Sequence, residues 1–74
     1  MIDAQTLSVL VVEDDFSIRR LLLDRLRAHG LVAFAAADLA EARTTMAAER
    51  IDLLLLDLGL PDGDGIDFIR ELRG

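Results

Sequence analysis

Residues 53–65 read LLLLDLGLPDGDG, and this segment is the most informative part of the sequence about the fold. Its four leucines predict a strand, at residues 51–56, that is apolar on both faces, as is typical of a parallel sheet covered by helices. The strand ends on Asp57, and a proline and three glycines follow before the next helix. Because Asp57 lies too far from that helix to cap it, its carboxylate is the first candidate functional group.

The remainder of the chain alternates between strand-like and helix-like patterns. Compact apolar runs predict strands, and apolar residues at helical spacing predict helices. The predicted strands are residues 9–12, 31–36 and 51–56, and the predicted helices are residues 16–29, 39–49 and a last one from Ile66. This β-α-β-α-β-α order predicts an α/β fold with a parallel sheet. We expect residues 1–6 to be a short tail that precedes one domain at residues 7–74.

Several residues carry expectations about helix ends and the core. Gly30 stands where a helix stop is expected, and Asp38 followed by Glu41 forms a variant of the capping box. We also expect Met46 and the three phenylalanines to be core residues. The last helix carries an apolar stripe made of Ile66, Ile69 and Leu72.

Acidic residues follow two of the predicted strands. Glu13, Asp14 and Asp15 come directly after the first strand, and Asp57 comes directly after the third. If these strands are neighbours, three or four carboxylates meet at one edge of the sheet, where α/β proteins bind ligands. Carboxylate oxygens are ligands for Mg²⁺, and an aspartate can also act as a nucleophile that accepts a phosphoryl group. The residues themselves allow both uses.

The same acids also have purely structural interpretations. We interpret Asp15 as the N-cap of the first helix and Asp64 as the N-cap of the last one. Turn formation in PDGDG explains Asp62. For Glu13 and Asp14, the capping and the functional interpretation both stay open.

Composition excludes several classes of function. The 74 residues carry a net charge of −6, which argues against a nucleic-acid-binding surface. There is no cysteine, so disulfides, thiolate metal sites and thiol nucleophiles are excluded. No apolar run approaches the length of a membrane span, and the first residues lack the pattern of a signal peptide. We therefore expect a cytoplasmic protein that has no membrane partner.

The motifs around the acids resemble those of a known family. VLVVEDD at residues 9–15 and DLLLLDLGLPDGDGIDFIRELR at residues 52–73 are similar to the receiver domains of two-component response regulators. The resemblance spans residues 7–73 and implies the flavodoxin-like fold of CheY-like receivers. A further similarity, to receivers that are joined to winged-helix DNA-binding domains, implies a transcriptional regulator.

The resemblance also implies a chemistry for the acidic residues. Asp57 would accept a phosphoryl group from a sensor histidine kinase, with Mg²⁺ as the cofactor. Asp14 and Asp57 would bind the metal directly, Glu13 would help through water, and the backbone carbonyl of Gly59 would be a further ligand. Such a protein catalyses at most its own phosphorylation and is not a turnover enzyme.

Two other classes fit the residues less well. Haloacid-dehalogenase-like phosphatases also place an aspartate after an apolar strand, but they need a second aspartate two positions later, where this chain has Gly59. The glycines of the same segment do not form G-x-G-x-x-G, and they follow the third strand rather than the first, which disfavours a dinucleotide site.

A receiver has five strands and five helices, whereas the resemblance ends after the third helix. The Ser or Thr and the Lys that follow the last two strands of the family have no counterpart, and the chain contains no lysine. We therefore expect a truncated half-receiver whose third strand is an open edge that pairs in a homodimer. Two hypotheses follow: a phosphotransfer module, or a self-associating half-receiver that lacks phosphotransfer switching.

Overall fold

The computed structural model describes residues 7–57 and 59–73. Its elements, in chain order, are β1 (Ser8–Val12), α1 (Phe16–Ala28), β2 (Val32–Ala36), α2 (Leu39–Ala48), β3 (Leu53–Leu56) and α3 (Gly65–Arg73). The predicted order is confirmed. The third strand begins two residues later than predicted, and the other predicted bounds differ from the observed ones by at most one residue. The tail predicted at residues 1–6 lies outside the described residues.

The strands form one parallel sheet in the order β2-β1-β3. At the end of β1, Val12 lies opposite Ala36 on one side and opposite Leu56 on the other. β1 is therefore the central strand, and its last four residues are buried. Because the strands run in the same direction, their carboxyl ends meet at one edge of the sheet.

The main core lies between the sheet and the helices α2 and α3. Leu10 and Val12 of β1 meet Leu39 of α2 and Phe68 of α3, and all four are at most 2 % exposed. Full burial of a side chain such as that of Phe68 contributes about 1.5–3 kcal/mol. This layer fixes α2 and α3 against the same face of the sheet.

The prediction that β3 is buried on both faces is wrong. Leu53 is 55 % exposed, and the other three leucines are only partly buried. β3 is an outer strand, and α1 packs mainly against β1 and β2. Helix α1 consequently has no buried residue, and it leaves Ile18 and Leu21 exposed.

Several apolar residues of α1, β2, α2 and α3 are exposed or only partly buried. The prediction that Phe16 is a core residue is wrong, because Phe16 is 66 % exposed at the start of α1. Its ring contacts the Arg19 guanidinium, which lies 5.5 Å from the ring centroid. Phe34 and Met46 pack against the core but are only partly buried. Helix α3 contacts the core through Gly65 and Phe68. Its apolar stripe, made of Ile66, Ile69 and Leu72, is exposed.

Helix α1 ends just before Gly30, where a helix stop is expected from the sequence. Gly30 has a φ of +81°, its N–H donates to the Arg27 carbonyl at 3.0 Å, and the Leu31 N–H donates to the Leu26 carbonyl at 3.2 Å. These two bonds form a Schellman motif, which needs a left-handed residue at this position.

Across the part of the chain that the structure describes, no helix is long and apolar enough to cross a lipid bilayer.

Candidate functional site

The register of the sheet brings the predicted acidic residues together. Val12 and Leu56 are paired, so Glu13 and Asp57 leave β1 and β3 side by side. The Asp57 N–H donates to the Val12 carbonyl at 3.0 Å, and the Glu13 N–H donates to the Ala36 carbonyl at 3.0 Å. Both acids are thus anchored through the backbone to the edge of the sheet.

Three carboxylates converge at this edge. One oxygen from each of Glu13, Asp14 and Asp57 lies within 4.8 Å of the others. Glu13 and Asp57 are partly buried, whereas Asp14 is exposed. The cluster therefore combines two carboxylates at the sheet edge with a third that is open to water.

Crowding of negative charge changes the titration of Glu13. The Asp15 N–H is the largest single influence and lowers the pKa of Glu13. Desolvation, hydrogen bonds shared with Asp14 and Asp57, and the Asp57 charge together outweigh it, so the pKa is raised above its ordinary value. A bound cation would relieve the same crowding, because it stabilises the ionised form of each carboxylate.

Gly59 lies beside the carboxylate of Asp57. Its N–H donates to Asp57 Oδ1 at 3.0 Å, and a Cβ at this position would lie 3.8 Å from the same oxygen. This bond fixes the orientation of the Asp57 side chain with respect to the loop. The assignment of the Gly59 carbonyl as a metal ligand stays a prediction.

Arg19 is a residue of the site that sequence reasoning did not identify. It reaches back from α1 and donates through Nη1 to the Glu13 carbonyl at 2.9 Å and, more weakly, to the Asp14 carbonyl at 3.4 Å. Arg19 thereby stabilises the backbone of Glu13 and Asp14 and places a positive charge beside it. Arg19 lies about one turn into α1. An arginine at this position after an acidic pair is the sequence signal that could have identified it.

The remaining acids of the two loops have structural roles. The Asp15 carboxylate accepts the Ile18 N–H at 3.0 Å and Asp64 accepts the Ile66 N–H at 2.8 Å, which confirms both as helix caps. Asp62 does lie in a turn, but the turn does not explain its carboxylate. Instead, the carboxylate accepts hydrogen bonds from the first turn of α2, a contact that sequence reasoning missed.

A groove of about 310 Å³ adjoins the cluster. Its walls are apolar and include Val11, Leu22 and Leu55, whereas Glu13 and Asp57 lie at its polar end. The groove lies on the face of the sheet that carries α1, where β3 is poorly covered. The acidic cluster therefore borders an apolar surface as well as solvent.

A parallel sheet with a helix after each strand, and with carboxylates at the ends of two adjacent strands, defines an α/β protein whose ligand site lies at the sheet edge. The family model of the response regulator receiver domain matches residues 9–74, and the chain belongs to this family.

Curated relatives are regulators that are longer than this chain. The KDP operon transcriptional regulatory protein KdpE of Escherichia coli is 50 % identical over 66 residues, which are 89 % of this chain and 29 % of KdpE. The DNA-binding response regulator MtrA of Mycobacterium tuberculosis is 41 % identical over 71 residues, which are 96 % of this chain and 31 % of MtrA. The chain thus spans under a third of the length of these relatives.

Solved structures agree with the flavodoxin-like receiver fold. A response regulator receiver protein from Pseudomonas putida superimposes with a TM-score of 0.87 at 34 % identity, over 97 % of this chain and 60 % of that one. The MaeR response regulator bound to beryllium trifluoride superimposes with a TM-score of 0.84 at 34 % identity, over 92 % of this chain and 57 % of that one. The fold implied by the sequence motifs is confirmed.

Proposed function

We propose that the chain accepts a phosphoryl group on Asp57 from a sensor histidine kinase. Mg²⁺ would be held by Glu13, Asp14, Asp57 and the backbone carbonyl of Gly59. The observation that carries the proposal is the convergence of three carboxylate oxygens within 4.8 Å at the end of β1 and β3. In this assignment residues 7–74 form the receiver portion and residues 1–6 form the tail.

The donor set suits Mg²⁺. This ion takes oxygen ligands at about 2.0–2.1 Å in octahedral geometry, so opposite ligands lie about 4 Å apart. The carboxylate oxygens of the cluster lie within 4.8 Å of one another, close to that spacing, and Glu13 would contact the ion through water. The exposure of Asp14 leaves one side of the site open for water and for a phosphoryl oxygen.

The reaction would be a displacement at phosphorus. An Asp57 carboxylate oxygen forms a P–O bond while the P–N bond of the phosphohistidine breaks, and the electron pair leaves with the imidazole nitrogen. Mg²⁺, when bound, supplies the positive charge that offsets the carboxylates and the phosphoryl oxygens. The Gly59 N–H orients the Asp57 carboxylate through Oδ1.

The phosphoryl acceptor is tested by mass. The chain is incubated with Mg²⁺ and a small acyl phosphate, and its intact mass is measured. We expect one phosphoryl adduct on the wild type and none on Asp57→Asn. Asp24→Asn is the matched control, because Asp24 is an exposed aspartate of α1, and its adduct should equal that of the wild type. Equal adducts on the wild type and Asp57→Asn, or none on either, would contradict the proposal.

The metal ligands are tested separately by titration with Mg²⁺ alone, followed through the backbone amide resonances at the sheet edge. We expect Asp14→Asn to weaken binding more than Glu13→Gln, because a direct ligand contributes more than one that acts through water. Binding that is equal in the wild type and in Asp14→Asn would contradict the ligand assignment.

A second proposal concerns self-association through β3. In the described residues β3 pairs with β1 alone, so its outer edge presents backbone N–H and C=O groups beside Leu53, which is 55 % exposed. Such an edge pairs readily with another strand. We propose that two chains pair their β3 edges across a two-fold axis, and this is the alternative in which the chain serves as a self-associating half-receiver.

Light scattering on a sizing column tests the pairing. Leu53→Lys places a charge on the β3 edge, whereas Val32→Lys places the same charge at the β2 edge, where Val32 is 45 % exposed. We expect a dimeric wild type, a monomeric Leu53→Lys and a dimeric Val32→Lys. A wild type that stays monomeric at high concentration would exclude the pairing.

The regulatory context follows from the relatives. KdpE and MtrA are named as transcriptional and DNA-binding regulators, and this chain matches less than a third of the length of each. We propose that the chain acts as the receiver part of such a regulator and works in the cytoplasm. The net charge of −6 favours DNA contact by residues other than these.

A further inference from the structure

The loop at residues 59–64 is attached to α2 by one side chain. Asp62 Oδ1 accepts the Leu39 N–H at 2.9 Å, and Asp62 Oδ2 accepts the Ala40 N–H at 3.0 Å. Both donors belong to the first turn of α2, whose N–H groups have no partners within the helix. The loop that follows the proposed phosphoryl acceptor is thus joined to a helix from an earlier part of the chain.

Packing supports the same attachment. Leu60 is 7 % exposed and belongs to the core that also contains Leu39, which is 2 % exposed. A Cβ added to Gly63 would lie 2.8 Å from Leu39 Cδ1, so the loop backbone passes directly over this side chain. The absence of a side chain at Gly63 therefore lets the loop pack closely against the start of α2.

The electrostatics of Asp62 agree with a carboxylate that stays ionised. The Leu39 N–H is the largest influence and lowers the pKa of Asp62, desolvation opposes it, and the Ala40 N–H and the Arg43 charge lower it further. The bonds to α2 are therefore charge-assisted, and such bonds are stronger than neutral ones.

We propose that Asp62 is a positioning residue for the acidic site, because its bonds to α2 hold the loop so that Gly59 stays against the Asp57 carboxylate. Gly59 lies between Asp57 and Leu60 in the sequence and donates to Asp57 Oδ1. With Asp62 bound to α2 and Leu60 in the core, few backbone conformations remain for Gly59. Where the effect concerns Mg²⁺, this inference rests on the proposed function.

The test compares two caps of the same helix. Asp62→Ala removes the attachment of the loop, whereas Asp38→Ala removes the local cap of α2, in which Asp38 Oδ1 accepts the Glu41 N–H at 2.8 Å. Asp62→Asn keeps one acceptor oxygen and is the conservative variant. Each chain is titrated with Mg²⁺ alone, and hydrogen exchange is measured at the Gly59 amide.

We expect Asp62→Ala to weaken Mg²⁺ binding roughly tenfold, as is typical when a group that orients metal ligands is removed. Asp62→Asn should lie between this variant and the wild type, and Asp38→Ala should bind Mg²⁺ like the wild type. Protection of the Gly59 amide should fall in Asp62→Ala and persist in Asp38→Ala. If Asp62→Ala does not fold, Asp62→Asn carries the comparison.

The two readouts separate failure of this inference from failure of the proposed function. If the wild type binds no Mg²⁺, the proposed metal site is wrong, and the Gly59 amide alone decides the role of Asp62. Unchanged protection of Gly59 in folded Asp62→Ala would overturn the inference, and so would an equal loss in Asp38→Ala. Lower protection with unchanged Mg²⁺ affinity would overturn the link between the loop and the metal.

Discussion

Asp38 and Asp62 cap the same helix, α2, from two different parts of the chain. Asp38 immediately precedes α2 and accepts the Glu41 N–H at 2.8 Å, whereas Asp62 arrives from the β3–α3 loop and accepts the N–H groups of Leu39 and Ala40. The first three N–H groups of α2 are therefore all satisfied by carboxylates. Negative charge at this end is also favourable with respect to the helix dipole.

The local cap should make a measurable contribution to stability. We expect Asp38→Ala to lower the free energy of unfolding by about 1 kcal/mol, which is typical for the loss of an N-cap. Urea denaturation followed by circular dichroism measures the change. Asp24→Ala, on the exposed face of α1, is the matched control and should have almost no effect; an equally small effect of Asp38→Ala would contradict the cap.

Helices α2 and α3 are joined by a bidentate ion pair. Arg43 donates through Nε to Glu71 Oε2 at 2.8 Å and through Nη2 to Glu71 Oε1 at 2.9 Å, and its guanidinium lies 5.3 Å from the Phe68 ring centroid. We expect Arg43→Lys to lower the Tm slightly, because an ammonium cannot reproduce the planar fork or its stacking.

A double-mutant cycle measures that pair. Glu71→Gln removes the negative partner and leaves the stacking of Arg43 on Phe68 in place. We expect the effects of Arg43→Lys and Glu71→Gln on the Tm to be non-additive, since both interrupt one interaction. Strict additivity would show that the bidentate geometry adds nothing beyond the attraction of the two charges.

The raised pKa of Glu13 predicts a pH dependence with a definite sign. A carboxyl whose pKa is higher in the folded state than its ordinary value of 4.5 stabilises the fold below that value. This stabilisation is lost as the pH rises through the folded-state pKa. Without Mg²⁺, the wild type should therefore lose stability between acidic and neutral pH with respect to Glu13→Gln, which cannot titrate.

Urea denaturation at several pH values in a chelating buffer measures this difference. Because Glu13→Gln also changes hydrogen bonds, the informative quantity is the variation of the difference with pH, not its absolute size. Adding Mg²⁺ should reduce the variation, since a cation stabilises the ionised cluster. A wild type that gains stability relative to Glu13→Gln toward neutral pH would show that the sign is wrong.

The end of α1 provides a test of backbone conformation alone. Gly30 has a φ of +81°, and a Cβ at this position would meet no atom within 4 Å. Gly30→Ala should therefore lower the free energy of unfolding by about 1 kcal/mol through left-handed strain and not through a clash. Gly30→Asn should cost less, because asparagine tolerates this conformation; equal costs for both variants would argue against the interpretation.

Features that depend on neighbours along the chain were predictable from the residues alone. Hydrophobic periodicity predicted the alternating elements, and Asp15, Asp38 and Asp64 were recognisable as caps because each bonds an N–H two or three residues away. The proximity of Glu13 and Asp57 was predictable as well, because parallel strands end at one edge of the sheet.

Features that join distant segments depended instead on how the helices and strands pack together. The attachment of Asp62 to α2, the exposure of Phe16 and the open side of β3 depend on which helix packs on which strand. Apolar side chains become buried only where another element covers them, and hydrophobicity does not specify which element that is. Thus the strand and the carboxylate at its end were predictable from LLLLD. The contacts that hold the loop after Asp57 became visible only in the folded chain.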